Sequence, residues 1–179
     1  TTSDSFDLKL ADDDGKSDGP KTVNVDITAV DDTPTIDTNA GLGLDEDGTK
    51  AITKAELAAT DDDDTDADLT YTIENAPANG ALIIDGSGTS KVDGGKDGET
   101  AIGQNGNFQQ SDIDNGKLLY VHNGAESTSD SFDFSVSDSN SSGNTTTFDL
   151  TINPVNDDPN PSDDSVSAQS NQAATFGVL

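Results

Sequence analysis

Six carboxylates fall within eight residues at Asp61, Asp62, Asp63, Asp64, Asp66 and Asp68. Neighbouring carboxylates about 5 Å apart repel by roughly 1–3 kcal/mol per pair at a surface-like dielectric. A tight loop of them therefore folds readily only when a cation neutralises it. Ca²⁺ suits that task, because it takes about six to eight oxygen ligands in an irregular shell, whereas Mg²⁺ demands near-octahedral geometry and keeps its waters. The competing chemistry is an acid-coated surface, as in salt-adapted proteins, with no specific ion. That reading fits Asp7, Asp26, Asp133 and Asp149, which strand alternation turns outward. It fits the crowded 61–66 loop poorly.

Composition frames these acids. The 179 residues carry 36 Asp and Glu, all but five of them Asp, against 8 Lys and no Arg, for a net charge of −28. Nucleic acid and anionic membranes are excluded as direct partners, since phosphate recognition needs clustered cations. No apolar run approaches the roughly 18 residues of a membrane span, and no signal peptide is visible. The lack of Met, at position 1 as elsewhere, is expected of a fragment or a processed product. Without Cys there are no disulfides, thiol chemistry or Cys-ligated zinc. An apolar fraction of 30% supports only a modest core, so bound cations are the expected extra source of stability.

Low hydrophobicity with high charge is also the signature of disorder. The order of residues argues otherwise. Residues 132–136 (Phe-Asp-Phe-Ser-Val), 148–152 (Phe-Asp-Leu-Thr-Ile) and 23–27 alternate strictly, and 69–73, 81–84 and 117–121 add further candidates. Period-two alternation of β-branched and aromatic residues marks strands with one buried face. Turn clusters of Gly, Asn, Asp and Ser separate them, and only Thr53 to Ala58 reads as a helical turn. The fold class is all-β. The expected core is Leu69, Tyr71, Ile73, Leu119, Val121, Phe132, Phe134, Phe148, Leu150 and Ile152.

An internal repeat organises the chain. Thr2-Ser3-Asp4-Ser5-Phe6-Asp7-Leu8 recurs 126 residues later as Thr128-Ser129-Asp130-Ser131-Phe132-Asp133-Phe134. Val30-Asp31-Asp32-Thr33-Pro34 recurs 125 residues later as Val155-Asn156-Asp157-Asp158-Pro159. Residues 1–34 are therefore expected to be the C-terminal strands of one module, 35–159 a complete module, and 160–179 the start of a third. In a sandwich with antiparallel final strands, Asp130 lies near Asn156, Asp157 and Asp158 at the C-terminal pole. Asp138 lies at the opposite pole with the 61–64 loop, facing Asp31 and Asp32.

The stretch from Gly43 to Pro159 resembles a chondroitin sulfate proteoglycan repeat, one of the cadherin-like modules. The likeness rests on Asp45-Glu46-Asp47-Gly48, Ala59-Thr60-Asp61, Leu69-Thr70-Tyr71, Leu119-Tyr120-Val121-His122, Ser129 to Asp138 and Pro154 to Pro159. The tail, with Asp163-Asp164-Ser165-Val166 and Gly177-Val178-Leu179, resembles the opening of a bacterial tandem repeat. The resemblance implies an immunoglobulin-like, Greek-key β-sandwich strung in tandem in a secreted or surface-anchored bacterial adhesin or biofilm protein. It also implies calcium shared between modules. Asp4, Asp31, Asp32, Asp61, Asp63 and Asp138 would form one junction, and Glu46, Asp130, Asn156, Asp157 and Asp158 the next. Pro154 stands where the cadherin linker begins with an Asp. The Gly-rich segment 85–107 is longer than the family pattern needs.

Other motifs carry less. Asp45, Asp47 and Glu56 imitate an EF-hand loop, but Lys50 occupies its Gly position. Gly94-Gly95-Lys96-Asp97-Gly98 is a single imperfect match to a calcium nonapeptide, and Asp112 and Asp114 read as a plain turn. His122 reads as a packed, hydrogen-bonded residue. Asn140 and Asn144 open formal glycosylation sequons in a Ser- and Thr-rich loop. No hydrolase elbow, phosphate loop or His pair is present, and sugar-cleaving carboxylates lack aromatic platforms, so the chain is not expected to be an enzyme. Two functions remain: a calcium-stiffened adhesion stalk, or a carbohydrate- or partner-binding module. Its partners would be neighbouring modules of its own chain, identical chains in head-to-tail or strand-completing contacts, and a cell-surface glycan or protein.

Overall fold

A computed structural model describes residues 2–86 and 98–158. Residues 160–179, expected to open a third module, lie outside the described residues, as do Pro159 and 94–97 within the Gly-rich segment. Alternating sequences become strands where the alternation predicts. The first hairpin is β1 (Thr2–Leu8) and β2 (Lys21–Ile27), which form a two-stranded sheet of their own. There follow β3 (Thr35–Asn39), β4 (Leu42–Asp45), β5 (Thr49–Ala51), β6 (Leu57–Thr60) and β7 (Thr70–Asn75). Next come β8 (Gly80–Ile84), β9 (Thr100–Ile102), β10 (Asn107–Gln109), the one-turn helix α1 (Gln110–Asp114) and β11 (Leu118–His122). The closing pair is β12 (Ser129–Ser137) and β13 (Thr146–Asn153).

Two sheets make an immunoglobulin-like sandwich. One has the order β10-β7-β12-β13-β4, the other β5-β11-β8-β9, and β3 pairs with β6 as a short ribbon. Among the described residues all pairings are antiparallel except β13 with β4, which run parallel from Leu42↔Leu150 to Asn153↔Asp45. Between β3 and β4 the chain turns at Gly41, whose φ is +75°. A Cβ there would meet the Asp149 carbonyl oxygen at 2.8 Å, so both backbone angle and space require glycine.

The inward faces close on an aromatic cluster. Tyr71 stacks on Phe108 at 4.9 Å between ring centroids, and Phe132 on Phe148 at 5.0 Å. Phe134 joins both groups, and Leu42, Leu44, Ile52, Leu57, Leu82 and Ile152 fill the remainder.

One strand turns the other way from expectation. On β11 the residues in the main core are Leu118 and Tyr120, with His122 buried on the same face, whereas Val121 is only half-buried. Leu119 is buried but stands outside that core cluster. Tyr120 decides the parity, because its ring suits the core while its hydroxyl reaches the rim and donates to Asp130 at 2.8 Å. The 110–114 stretch, expected as a plain turn, is helical, with reciprocal capping between Gln109 and Asp112.

Candidate functional site

Carboxylates gather at each pole. At the N-terminal pole the 61–64 turn follows β6, and Asp138 follows β12. Carboxylate oxygens of Asp31, Asp64 and Asp138 come within 4.8 Å of one another, as do those of Asp61, Asp63 and Asp64. Backbone donors shape the turn. Asp61 Oδ1 accepts from the Asp63 and Asp64 N–H groups at 3.0 and 2.9 Å, while the Asp61 N–H donates to Asp66 at 3.0 Å. Asp61 Oδ2 is buried without a hydrogen-bond partner among the described residues. The linker is tied in where Asp32 N–H donates to Asp63 at 3.3 Å and the Asn140 side-chain amide donates to Asp31 at 2.9 Å. Asp64, Asp68 and Asp138 line an adjoining cleft of about 330 Å³.

Crowding splits the ionisation of these groups. Backbone N–H donors hold Asp61 below the ordinary 3.8, and the Ser141 hydroxyl with the Asn140 and Ser141 N–H groups does the same for Asp138. The contact with Asp61 raises Asp63, and desolvation followed by repulsion from Asp138 raises Asp64. The signs differ accordingly. The favourable hydrogen bonding of Asp61 and Asp138 is present above 3.8 and lost as pH falls through their lowered folded values. The contribution of protonated Asp63 and Asp64 is complete below 3.8 and lost as pH rises through their raised values. Carboxyl-detected NMR titration in chelator should therefore place Asp61 and Asp138 below 3.8 and Asp63 and Asp64 above it; a single common value for all four would contradict this geometry.

The C-terminal pole is built differently. Its three carboxylates, Glu46, Glu126 and Asp157, also converge within 4.8 Å. Glu46 sits in the β4–β5 turn and is only 5% exposed. Its Oε2 accepts the Val155 N–H at 3.1 Å, and its Oε1 has no partner among the described residues. His122 fixes the two segments that bring Glu46 and Glu126 together. Its Nδ1 accepts the Asp47 N–H at 3.3 Å and the Gly124 N–H at 3.2 Å, so the proton belongs on Nε2, which lies 2.9 Å from the Ser127 hydroxyl. The imidazole thereby pins the turn bearing Glu46 to the loop bearing Glu126.

Not every expected ligand joins these groups. Asp130 belongs to none of the three. Its carboxylate accepts the Ala78, Asn79 and Ser131 N–H groups, each at 2.9 Å, and the Tyr120 hydroxyl. Asp4 lies in the first hairpin opposite Val25, accepting the Ser5 N–H at 2.7 Å. Asp32 contributes its backbone rather than its carboxylate, and Asp158 is exposed beyond the converging set. The Asn156 amide donates to the Asp157 carbonyl at 3.2 Å. Asp64 and Glu126 were not among the expected ligands. Asp64 was legible as part of its acidic run, whereas nothing local distinguished Glu126 beyond the scarcity of Glu. Glu56 is engaged locally, accepting from the Thr53 N–H and hydroxyl at 2.9 and 2.6 Å.

Similarity to known proteins agrees with this architecture. The cadherin-like family model matches residues 34–152. The chain is 35% identical over 139 residues to Extracellular matrix protein 3 of Lytechinus variegatus, and 33% over 153 residues to Extracellular matrix organizing protein FRAS1 of Homo sapiens. It is 33% identical over 106 residues to Chondroitin sulfate proteoglycan 4 of Homo sapiens. These alignments cover 77%, 85% and 59% of the chain, and the chain spans only 4% of each relative's length. With a sandwich of the expected topology and a family match across most of its length, the chain belongs to the cadherin-like family.

Proposed function

We propose that the chain is an extracellular matrix or adhesion module that binds Ca²⁺ at both poles and so holds consecutive modules of a tandem array in line. In this reading residues 35–159 are one module, residues 1–34 close the one before, and 160–179 open the next. Supporting an extracellular place is the likeness to proteins named as matrix components. The tail's resemblance to bacterial repeats supports a bacterial surface or biofilm adhesin. The observation that carries calcium is Glu46. An ionised carboxylate with one oxygen buried and unpartnered is costly unless a cation accompanies it, and Glu126 and Asp157 stand within reach to complete such a shell. At the other pole Asp31, Asp61, Asp63, Asp64 and Asp138 supply oxygens whose repulsion a divalent ion would relieve.

Calorimetric titration of the chain with Ca²⁺ tests this. Binding should occur with a dissociation constant on the order of 10⁻⁴–10⁻³ M, as in extracellular calcium modules. Saturation at about 100 times that constant should stabilise the fold by about 2.7 kcal/mol per ion. Glu46→Gln removes one charge at constant size, and should abolish one class of site while leaving the Asp31–Asp64–Asp138 class intact. No heat and no change in Tm with the unaltered chain would return the acids to the role of a solvated coat.

A further inference from the structure

The β1–β2 hairpin repeats β12–β13 in register as well as in sequence. Phe6 faces Val23 as Phe132 faces Phe148, and Asp4 faces Val25 as Asp130 faces Leu150. The bond from the Thr22 hydroxyl to Asp7, 2.7 Å, recurs from Thr147 to Asp133 at 2.6 Å. The bond from Ser5 N–H to Asp4 recurs from Ser131 N–H to Asp130. The surroundings differ. Phe132, Phe134, Phe148, Leu150 and Ile152 are buried, whereas Phe6, Leu8, Val25 and Ile27 are exposed, Phe6 by 51% and Leu8 by 55%. An apolar sheet face of this kind is not stable in water as an isolated pair of strands.

The face also carries a carboxylate, Asp4. Its counterpart Asp130 accounts for it, by receiving two N–H groups from the turn between β7 and β8 and a hydroxyl from Tyr120. A purely apolar cover would leave Asp4 with no donor beyond the Ser5 N–H of its own strand. So would a second copy stacked face to face, which would bury two carboxylates together.

We propose that the β1–β2 face is a docking surface for an incomplete cadherin-like sandwich, one that supplies the equivalents of β3 to β11 and lacks its last two strands. Asp4 is the latch that selects it, accepting two turn N–H groups and a tyrosine hydroxyl from that partner. This extends the tandem-array reading above and rests on it, but needs no cation.

The test extends the full chain, joining a second copy of residues 35–127 to Thr2, so that the hairpin follows a β3–β11 set with the spacing of the complete module. Hydrogen exchange is read at the amides of Phe6, Val23, Val25 and Ile27, in calcium and in chelator. They should exchange at least ~10-fold slower than in the unextended chain under both conditions. The supplied groove is shaped around Phe134 and Phe148, where the hairpin has Leu8 and Val23. A second version with Leu8→Phe and Val23→Phe should therefore be protected further. Asp4→Ala should reverse the protection in the extended chain and change nothing in the unextended one. Unprotected hairpin amides in both extended versions would overturn the proposal. So would an unextended chain that dimerises with those amides already protected, which would make a second copy the occupant. Protection in chelator alongside a failed calcium titration would leave the docking intact and sink only the calcium reading.

Discussion

Replacing Asp130 with alanine is expected to destabilise the complete module by about 2–4 kcal/mol, more than any change at the carboxylate groups of the two poles. Three donors from elsewhere in the fold converge on it: the Ala78 and Asn79 N–H groups and the Tyr120 hydroxyl. Water can replace the exposed Ala78 bond, but the two part-buried donors left unpaired cost about 1–3 kcal/mol each, toward the lower half of that range. The same contact, after desolvation, holds the Tyr120 hydroxyl far above its ordinary value of 10. Urea unfolding should show the loss as a shifted midpoint with an unchanged slope. It should be equal in calcium and in chelator. A loss that disappears in chelator would mean that Asp130 acts on a cation, as its position in the linear sequence had suggested. Asp149→Asn, on an exposed strand position, serves as the reference and should move the midpoint little.

The second large effect concerns Gln110, which is 1% exposed. Its Oε1 accepts both the Tyr71 hydroxyl at 2.5 Å and the Ala59 N–H at 3.0 Å, and its amide donates to Asp114 at 2.8 Å. One side chain thus joins α1 to β6 and β7. Gln110→Leu keeps the bulk but orphans two donors, for an expected cost of about 2–4 kcal/mol. Adding Tyr71→Phe removes one of the orphans, so the double variant should be less destabilised than the sum of the singles by about 1 kcal/mol. Simple additivity would show that the Tyr71–Gln110 contact contributes nothing of its own.

The all-β class and the strands at 23–27, 69–73, 81–84, 117–121, 132–136 and 148–152 were legible because alternation is a local signal, and the internal repeat added 2–8. Phe132, Phe134, Phe148 and Leu150 are buried as their spacing requires. The parity of β11 was not legible. Leu118 to Val121 is apolar on both faces, and only the distant Asp130 makes it favourable for Tyr120 to point inward. The acidic groups divide on the same ground. Asp61, Asp63 and Asp64 are neighbours along the chain, so their crowding is visible in one line of sequence. Convergence of Glu46, Glu126 and Asp157 depends on three separated loops being pinned, two of them by His122. Asp130 shows the limit most plainly: an Asp beside a strand start can serve a cation or a set of N–H donors, and only the fold supplies the donors.

The parallel pairing of β4 with β13 has a mechanical meaning. The chain enters β4 from the N-terminal pole and leaves β13 at the C-terminal pole, and the two strands lie side by side in the same direction. A pull on the two ends of the module, once it has passed the β3–β6 ribbon, therefore acts to slide β4 and β13 past each other along their length. Their hydrogen bonds, from Leu42↔Leu150 to Asn153↔Asp45, are loaded together in shear rather than opened one at a time. The rate of forced unfolding then depends on losing the whole ladder at once. A string of such units would resist stretching through its backbone even where no ion is bound.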